Sequence, residues 1–243
     1  MTLLYYITDR KQLPANGGTP VEALKDKVRA AFAAAVDYVQ VREKDLEAGA
    51  LAALVEELTR IRAAMEHPGL PWTVMERLRN PSRGDSPLGT DRQGALAPSE
   101  PQRSRLLVND RLDVARTCGA DGVHLPADSL PVPAVRKYVG KDWIVGVACH
   151  SAEEVELAAE AGADYVLVAP VFDTASKPGM TPMGLAAFAA ICRRSSIPVF
   201  ALGGVSVENA RPCIDAGARG LAGIRLFQQS PDLPSLCHHL RSL

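Results

Sequence analysis

The chain has 243 residues, 47% hydrophobic, 23% charged and 5% aromatic, with 27 basic residues against 28 acidic ones. That length buries a sizeable core and allows one large domain or two small ones. The net charge of −1 excludes nucleic-acid binding by bulk electrostatics, and no apolar run approaches the roughly 18 residues needed to cross a bilayer.

The predicted elements alternate along the chain. A strand over Leu3 to Asp9 precedes a helix over Pro20 to Val36, and a strand over Tyr38 to Lys44 precedes a helix over Ala48 to Glu66. Strands over Arg105 to Asp110, Gly122 to Pro126 and Trp143 to Cys149 lead into helices over Leu112 to Cys118, Pro131 to Val139 and Ala152 to Ala161. Strands over Tyr165 to Val171, Pro198 to Val205 and Gly220 to Phe227 precede helices over Leu185 to Arg193, Val207 to Ala216 and Asp232 to Leu240. Eight such βα units with largely unbroken apolar strands imply a parallel sheet covered on both faces. They fit a single-domain α/β fold, a (β/α)8 TIM barrel over residues 1–243. A doubly wound open sheet is the alternative, but no G-x-G-x-x-G follows the first strand. The echo GADGVHL, AGADYVLV, AGARGLAGI supports repetition, with glycine at each helix end.

Pro68 to Ser104 breaks the pattern, with six of the 18 prolines, scattered arginines and no apolar periodicity. It reads as a disordered-looking insertion between the second helix and the third strand, opposite the strands' C-terminal ends. The N-terminal MTLLYYITDR lacks a signal-peptide layout, and the five cysteines show no C-x-x-C pair. A reduced cytoplasmic protein is therefore expected.

Polar residues that end barrel strands point into the mouth. Gln40, Arg42 and Lys44 alternate along one strand face, where an amide and two cations suit a phosphate or diphosphate. The other reading of that trio is a solvated strand end paired with Glu43 or Asp45. Lys177, after Thr174 and Ser176, lies on a loop of phosphate-binding type, and Gly203-Gly204 precedes a helix whose N-terminus suits an anion. Gly223 and Arg225 end the last strand. Asp110 and Asp128 on neighbouring loops are candidate Mg²⁺ ligands beside a diphosphate, although Asp110 also suits a cap on the helix starting at Leu112. His124 and His150 are candidate acid/base groups. No Walker loop, nucleophile elbow or zinc spacing occurs.

The stretches YYITDR, YVQVREK, LLVNDRLDVARTCGADGVHL, VGVACHS, ADYVLVAPVFDTASKP and VFALGGVSVENARPCIDAGARG resemble the thiamine phosphate synthase and TenI family of barrels, and they cover nearly all of the chain outside residues 68–104. The resemblance implies an Mg²⁺-dependent transferase that joins hydroxymethylpyrimidine diphosphate to a thiazole phosphate, releasing diphosphate. It places the pyrimidine diphosphate on Gln40, Arg42, Lys44, Asn109 and Lys177, with Arg42, Lys44 and Lys177 as the catalytic cations. Glu43 of the same QVREK stretch joins the substrate-binding set. Thr174, Ser176, Gly204 and the Ile224-Arg225 position meet the thiazole phosphate, with Gly203 and Gly223 beside them as candidates from the strand ends. Asp110 holds the metal, and Asp128 is a candidate second ligand from its place after the fourth strand. Three positions depart from the family pattern. Pro126-Ala127-Asp128-Ser129 stands where Gly-Gln-x-Asp is usual, and Ala148 and Arg225 each replace a serine. The TenI branch implies instead a metal-free thiazole tautomerase with His150 as acid/base, and a third alternative is a non-catalytic barrel that senses thiamine precursors. The implied partners are small phosphorylated molecules, with neither nucleic acid nor membrane; a homo-oligomer stays open.

Overall fold

The apolar runs become short strands because β-branched and aromatic side chains fill a pleated surface buried on both faces. A computed structural model describes residues 1–14, 18–69, 103–174 and 179–243. The strands are β1 (Leu3–Ile7), β2 (Tyr38–Val41), β3 (Arg105–Asn109), β4 (Gly122–Leu125), β5 (Ile144–Cys149), β6 (Tyr165–Val168), β7 (Val199–Ala201) and β8 (Gly220–Gly223). Helices α1 (Pro20–Ala33), α2 (Ala48–Glu66), α3 (Leu112–Thr117), α4 (Val132–Val139), α5 (Ala152–Glu160), α6 (Gly184–Arg194) and α7 (Val207–Asp215) follow the first seven strands. A short α8 (Arg225–Gln228) and a terminal α9 (Leu233–Arg241) complete the described elements. Each strand pairs in parallel with the next, and β1 closes on β8, with Leu4 opposite Leu221. The fold is the (β/α)8 barrel expected from the alternation.

Several elements differ from expectation, and β2 and β6 end at Val41 and Val168 rather than Lys44 and Val171 because the chain leaves the sheet there for the mouth. The eighth strand ends at Gly223 rather than Phe227, and the apolar Leu226 and Phe227 belong to α8. Periodicity cannot separate a buried helical turn from a strand in so short a run. The seventh strand stops at Ala201 because Gly203 and Gly204 turn into the left-handed region, with φ of 89° and 67°. A 3₁₀ turn over Arg10–Gln12 occupies the loop after β1. Of the stretch 68–104, residues 70–102 lie outside the described residues. Among the described residues no helix is long and apolar enough to cross a membrane.

The barrel interior is filled by Tyr5, Ile7, Leu107, Tyr165, Leu167, Phe200 and Ala222. The rings of Tyr5, Tyr165 and Phe200 lie 5.5–5.6 Å apart between centroids. Glycine makes room for them: a Cβ at Gly146 would lie 1.9 Å from the Tyr165 ring. Gly146→Ala is expected to destabilise the protein by about 1–3 kcal/mol, read as a lower midpoint in urea with unchanged slope.

The N-terminal face repeats one device on alternate strands. Asp37, Asp121 and Asp164 each precede a strand and accept the backbone N–H of Leu4, Leu106 and Val145, at 2.8, 2.7 and 2.7 Å. Each carboxylate also meets an arginine from a helix: Arg241, Arg62 and Arg136 respectively. The echoed sequence GAD is this device, with Gly119 and Gly162 at φ of 70° and 89° ending the preceding helices.

Candidate active site

At the opposite, C-terminal face the strand ends surround a cavity of about 430 Å³. Its floor is apolar, made by Ile7, Leu167 and Ala222. Its walls are polar, and their positions follow from how each strand ends.

The wall at β2 is set by Thr8. The Thr8 hydroxyl accepts from the Arg42 N–H at 3.0 Å and donates to Glu43 Oε1 at 2.6 Å. This pin turns Glu43 away while Gln40, near the end of β2, and Arg42 and Lys44, just beyond it, line the cavity. Glu43 is buried and also pairs with Arg10 at 2.9 Å; Asp45 pairs with Arg10 at 2.7 Å and Lys11 at 2.9 Å. The neighbouring carboxylates are thus taken by the loop after β1. Among the described residues neither Arg42 nor Lys44 has an ion-pair partner. That arrangement removes the reading of the trio as a salt-bridged strand end.

Gln40 donates from Nε2 to Asn109 Oδ1 at 2.9 Å, joining β2 to β3 across the wall. Beneath them, Tyr5 donates to Gln40 Oε1 at 3.1 Å and lies 2.8 Å from the Tyr165 hydroxyl. His124 Nδ1 lies 3.3 Å from that same Tyr165 hydroxyl. Burial, reinforced by the Arg42 charge, lowers the His124 pKa to about 3. A pKa that low leaves the ring neutral near pH 7, with a single N–H and no charge to act as a general acid.

Asp110 lies just outside the cavity at a left-handed φ of 64°. For a non-glycine residue this stores about 1–3 kcal/mol of strain, which surrounding contacts must hold. The alternative role of Asp110 as a helix cap is absent: the N-cap of α3 is Arg111, which makes no side-chain cap. The Asp110 carboxylate instead accepts the Ser129 hydroxyl. Asp128, one residue before Ser129, lines the cavity with Pro126 and Ala127. Two carboxylates therefore flank the mouth at β3 and β4.

The far wall is backbone-rich. Gly203 and Gly204 line it, and their loop packs so closely on the loop after β6 that a Cβ at Gly204 would meet the Asp173 carbonyl oxygen at 2.3 Å. Asn209 Nδ2 donates to Gly204 O at 2.9 Å and its Oδ1 accepts from Ser206 N at 2.8 Å, tying the loop to the start of α7. Gly223, Ile224, Arg225 and Leu226 complete this side, and Thr174 lines the cavity after β6. Ser176 and Lys177 lie outside the described residues. His150, after β5, also lines the cavity, with Nδ1 bonded to the Ala169 carbonyl. A carbonyl only accepts, so the proton sits on Nδ1, and a neutral His150 ring carries its lone pair on Nε2.

The cavity brings together Gln40, Arg42, Lys44, Asn109, Asp128, His150, Thr174, Gly203, Gly204, Gly223, Ile224 and Arg225 from seven strand ends or the loops after them. Glu43 and Asp110 stand behind it. Sequence reasoning missed the supporting tyrosines Tyr5 and Tyr165; the signal was their inward register on apolar strands.

Residues 93–227 match the family model described as thiamine monophosphate synthase. A thiamine-phosphate synthase of Syntrophomonas wolfei is 33% identical over 99% of this chain and 95% of its own. One of Chlorobium phaeovibrioides is 40% identical over 73% of this chain and 85% of its own. A thiamine phosphate pyrophosphorylase from Pyrococcus furiosus has the same fold, with a TM-score of 0.70, 24% identity and coverage of 99% and 94%. With the family model matching residues 93–227 and a relative 33% identical over nearly the full length of both chains, the chain belongs to the thiamine monophosphate synthase family.

Proposed function

We propose that this protein condenses hydroxymethylpyrimidine diphosphate with thiazole phosphate, giving thiamine phosphate and diphosphate. The observation that carries the reading is the pairing of two anion-binding walls across one cavity. Gln40, Arg42, Lys44 and Asn109 stand on one side, Gly203, Gly204, Ile224 and Arg225 on the other.

In this reading Arg42 and Lys44 hold the diphosphate, with Lys177 joining them by its place in the family motif. The bond from the pyrimidine methylene to the diphosphate oxygen breaks, and its electron pair leaves with the diphosphate. The cations stabilise that developing charge, and the resulting pyrimidine carbocation is captured by the thiazole nitrogen, whose lone pair forms the new C–N bond. The glycine loop and Arg225 position the thiazole phosphate for this attack. No protein nucleophile takes part; positioning and fixed charge supply the catalysis. Asp128, which lines the cavity, and Asp110, whose carboxylate accepts the Ser129 hydroxyl just outside it, offer hard carboxylate oxygens of the kind suited to Mg²⁺ shared with a diphosphate. An Mg²⁺ ion held there would neutralise charge on the diphosphate. A cytoplasmic setting belongs to the same reading, supported by five unpaired cysteines.

One observation favours a second reading, the tautomerase: His150 faces the cavity with its tautomer fixed by Ala169. The two separate in one experiment. Given both phosphorylated precursors, the synthase loses activity to a chelator and keeps it in His150→Asn. Thiazole isomerisation that ignores the chelator and is lost in His150→Asn supports the tautomerase, and binding without turnover supports a sensor.

A further inference from the structure

We propose that Tyr5, Tyr165 and His124 form a one-directional hydrogen-bond chain that fixes the amide orientations of Gln40 and Asn109, and so the donor pattern facing the substrate. Counting protons sets its direction. The Tyr5 hydroxyl, 3.1 Å from Gln40 Oε1, must donate, because an amide oxygen only accepts. Its single proton is then spent, so Tyr165, 2.8 Å away, donates to Tyr5. The Tyr165 proton is spent in turn, and His124 Nδ1, 3.3 Å away, must carry hydrogen and donate to the Tyr165 oxygen. At the other end Gln40 Nε2 donates to Asn109 Oδ1 at 2.9 Å, which leaves the Asn109 amino group as its donor toward the cavity.

Burial enforces the order. Tyr5, Tyr165, His124 and Gln40 are at most 4% exposed, so water does not replace a member of the chain. The rings are also held in place: Tyr38 stacks on Tyr5 at 5.5 Å and His124 on Tyr165 at 5.9 Å between centroids. His124 is a neutral ring with one N–H, and the chain assigns that hydrogen to Nδ1, leaving the Nε2 lone pair at a residue lining the cavity. Reversing the chain would turn the Gln40 amide over and move the His124 hydrogen to Nε2. These three are positioning residues: they act on the substrate through Gln40 and Asn109.

The inference rests on this cavity being the substrate site, but its first test does not. Ring ¹⁵N–¹H spectra of the full chain at pH 7, with His124 assigned from the His124→Asn variant, report the tautomer directly. The expected result is hydrogen on Nδ1 in the wild-type protein; hydrogen on Nε2 overturns the chain whatever the activity. The second test is kinetic. Tyr5→Phe is expected to raise KM for the pyrimidine diphosphate about tenfold, and to change KM for the thiazole phosphate by less than about twofold. An equal rise in both, as a loosened barrel would give, or no rise in either, overturns the positioning role.

Discussion

Arg42→Ala is expected to lower kcat/KM for the pyrimidine diphosphate by about 100-fold. A hydrogen bond between charged partners contributes up to about 3 kcal/mol, and each 1.4 kcal/mol is tenfold. Arg42 carries this weight because its surroundings leave its charge for the substrate: Glu43 and Asp45, the carboxylates next in sequence, are bound by Arg10 and Lys11. The geometry is also fixed from behind, since the Arg42 backbone N–H bonds Thr8. Arg42→Lys should recover only part of the loss, because an ammonium is a point charge and the guanidinium fork grips two oxygens at once. Steady-state kinetics at constant Mg²⁺ measure this, and a change below about threefold in Arg42→Ala would place the diphosphate elsewhere.

Asp121→Ala is expected to destabilise the fold by about 3 kcal/mol, lowering Tm by about 6–12 °C. Arg62 is 1% exposed and meets Asp121 at the N-terminal face. Removing the carboxylate strands a buried guanidinium and also releases the Leu106 N–H, which Asp121 accepts at 2.7 Å. Glu66, 3.7 Å from Arg62 Nε, offsets only part of the loss. Burial alone would raise the Asp121 pKa, but Arg62 and Arg103, with the bonds from Arg62 and Leu106, outweigh it and hold the pKa below the usual carboxylate value. A depressed folded pKa means that the stabilisation is present above the ordinary carboxylate range and is lost as pH falls through the depressed value. Thermal melts at pH 7 and pH 3 should therefore show a larger gap between wild type and Asp121→Ala at pH 7.

The architecture was legible because apolar strands and alanine-rich helices alternate without exception outside residues 68–104. The α2 boundaries match the expected Ala48 to Glu66, where the apolar pattern is long. Boundaries failed where the chain leaves the sheet to build the mouth. Gly203 and Gly204 curtail β7, and Leu226 and Phe227 enter α8 although they read as a strand. The cationic wall was legible from the two-residue spacing of Gln40, Arg42 and Lys44. What orients it was not: strand register points Tyr5 and Tyr165 inward, but the Thr8 pin and the Tyr5–Tyr165–His124 chain join residues distant in sequence, and no local pattern announces those contacts. Asp110 shows the same limit. Its residue type suits a helix cap, but its left-handed backbone and the Ser129 contact are set by the tertiary fold.

The most direct test of the central claim is product analysis on the purified full chain. With both phosphorylated precursors and Mg²⁺ present, thiamine phosphate and diphosphate should form in equal amounts, and neither should form when either precursor is omitted. Diphosphate released without thiamine phosphate, or no product at saturating concentrations of both precursors, would contradict it.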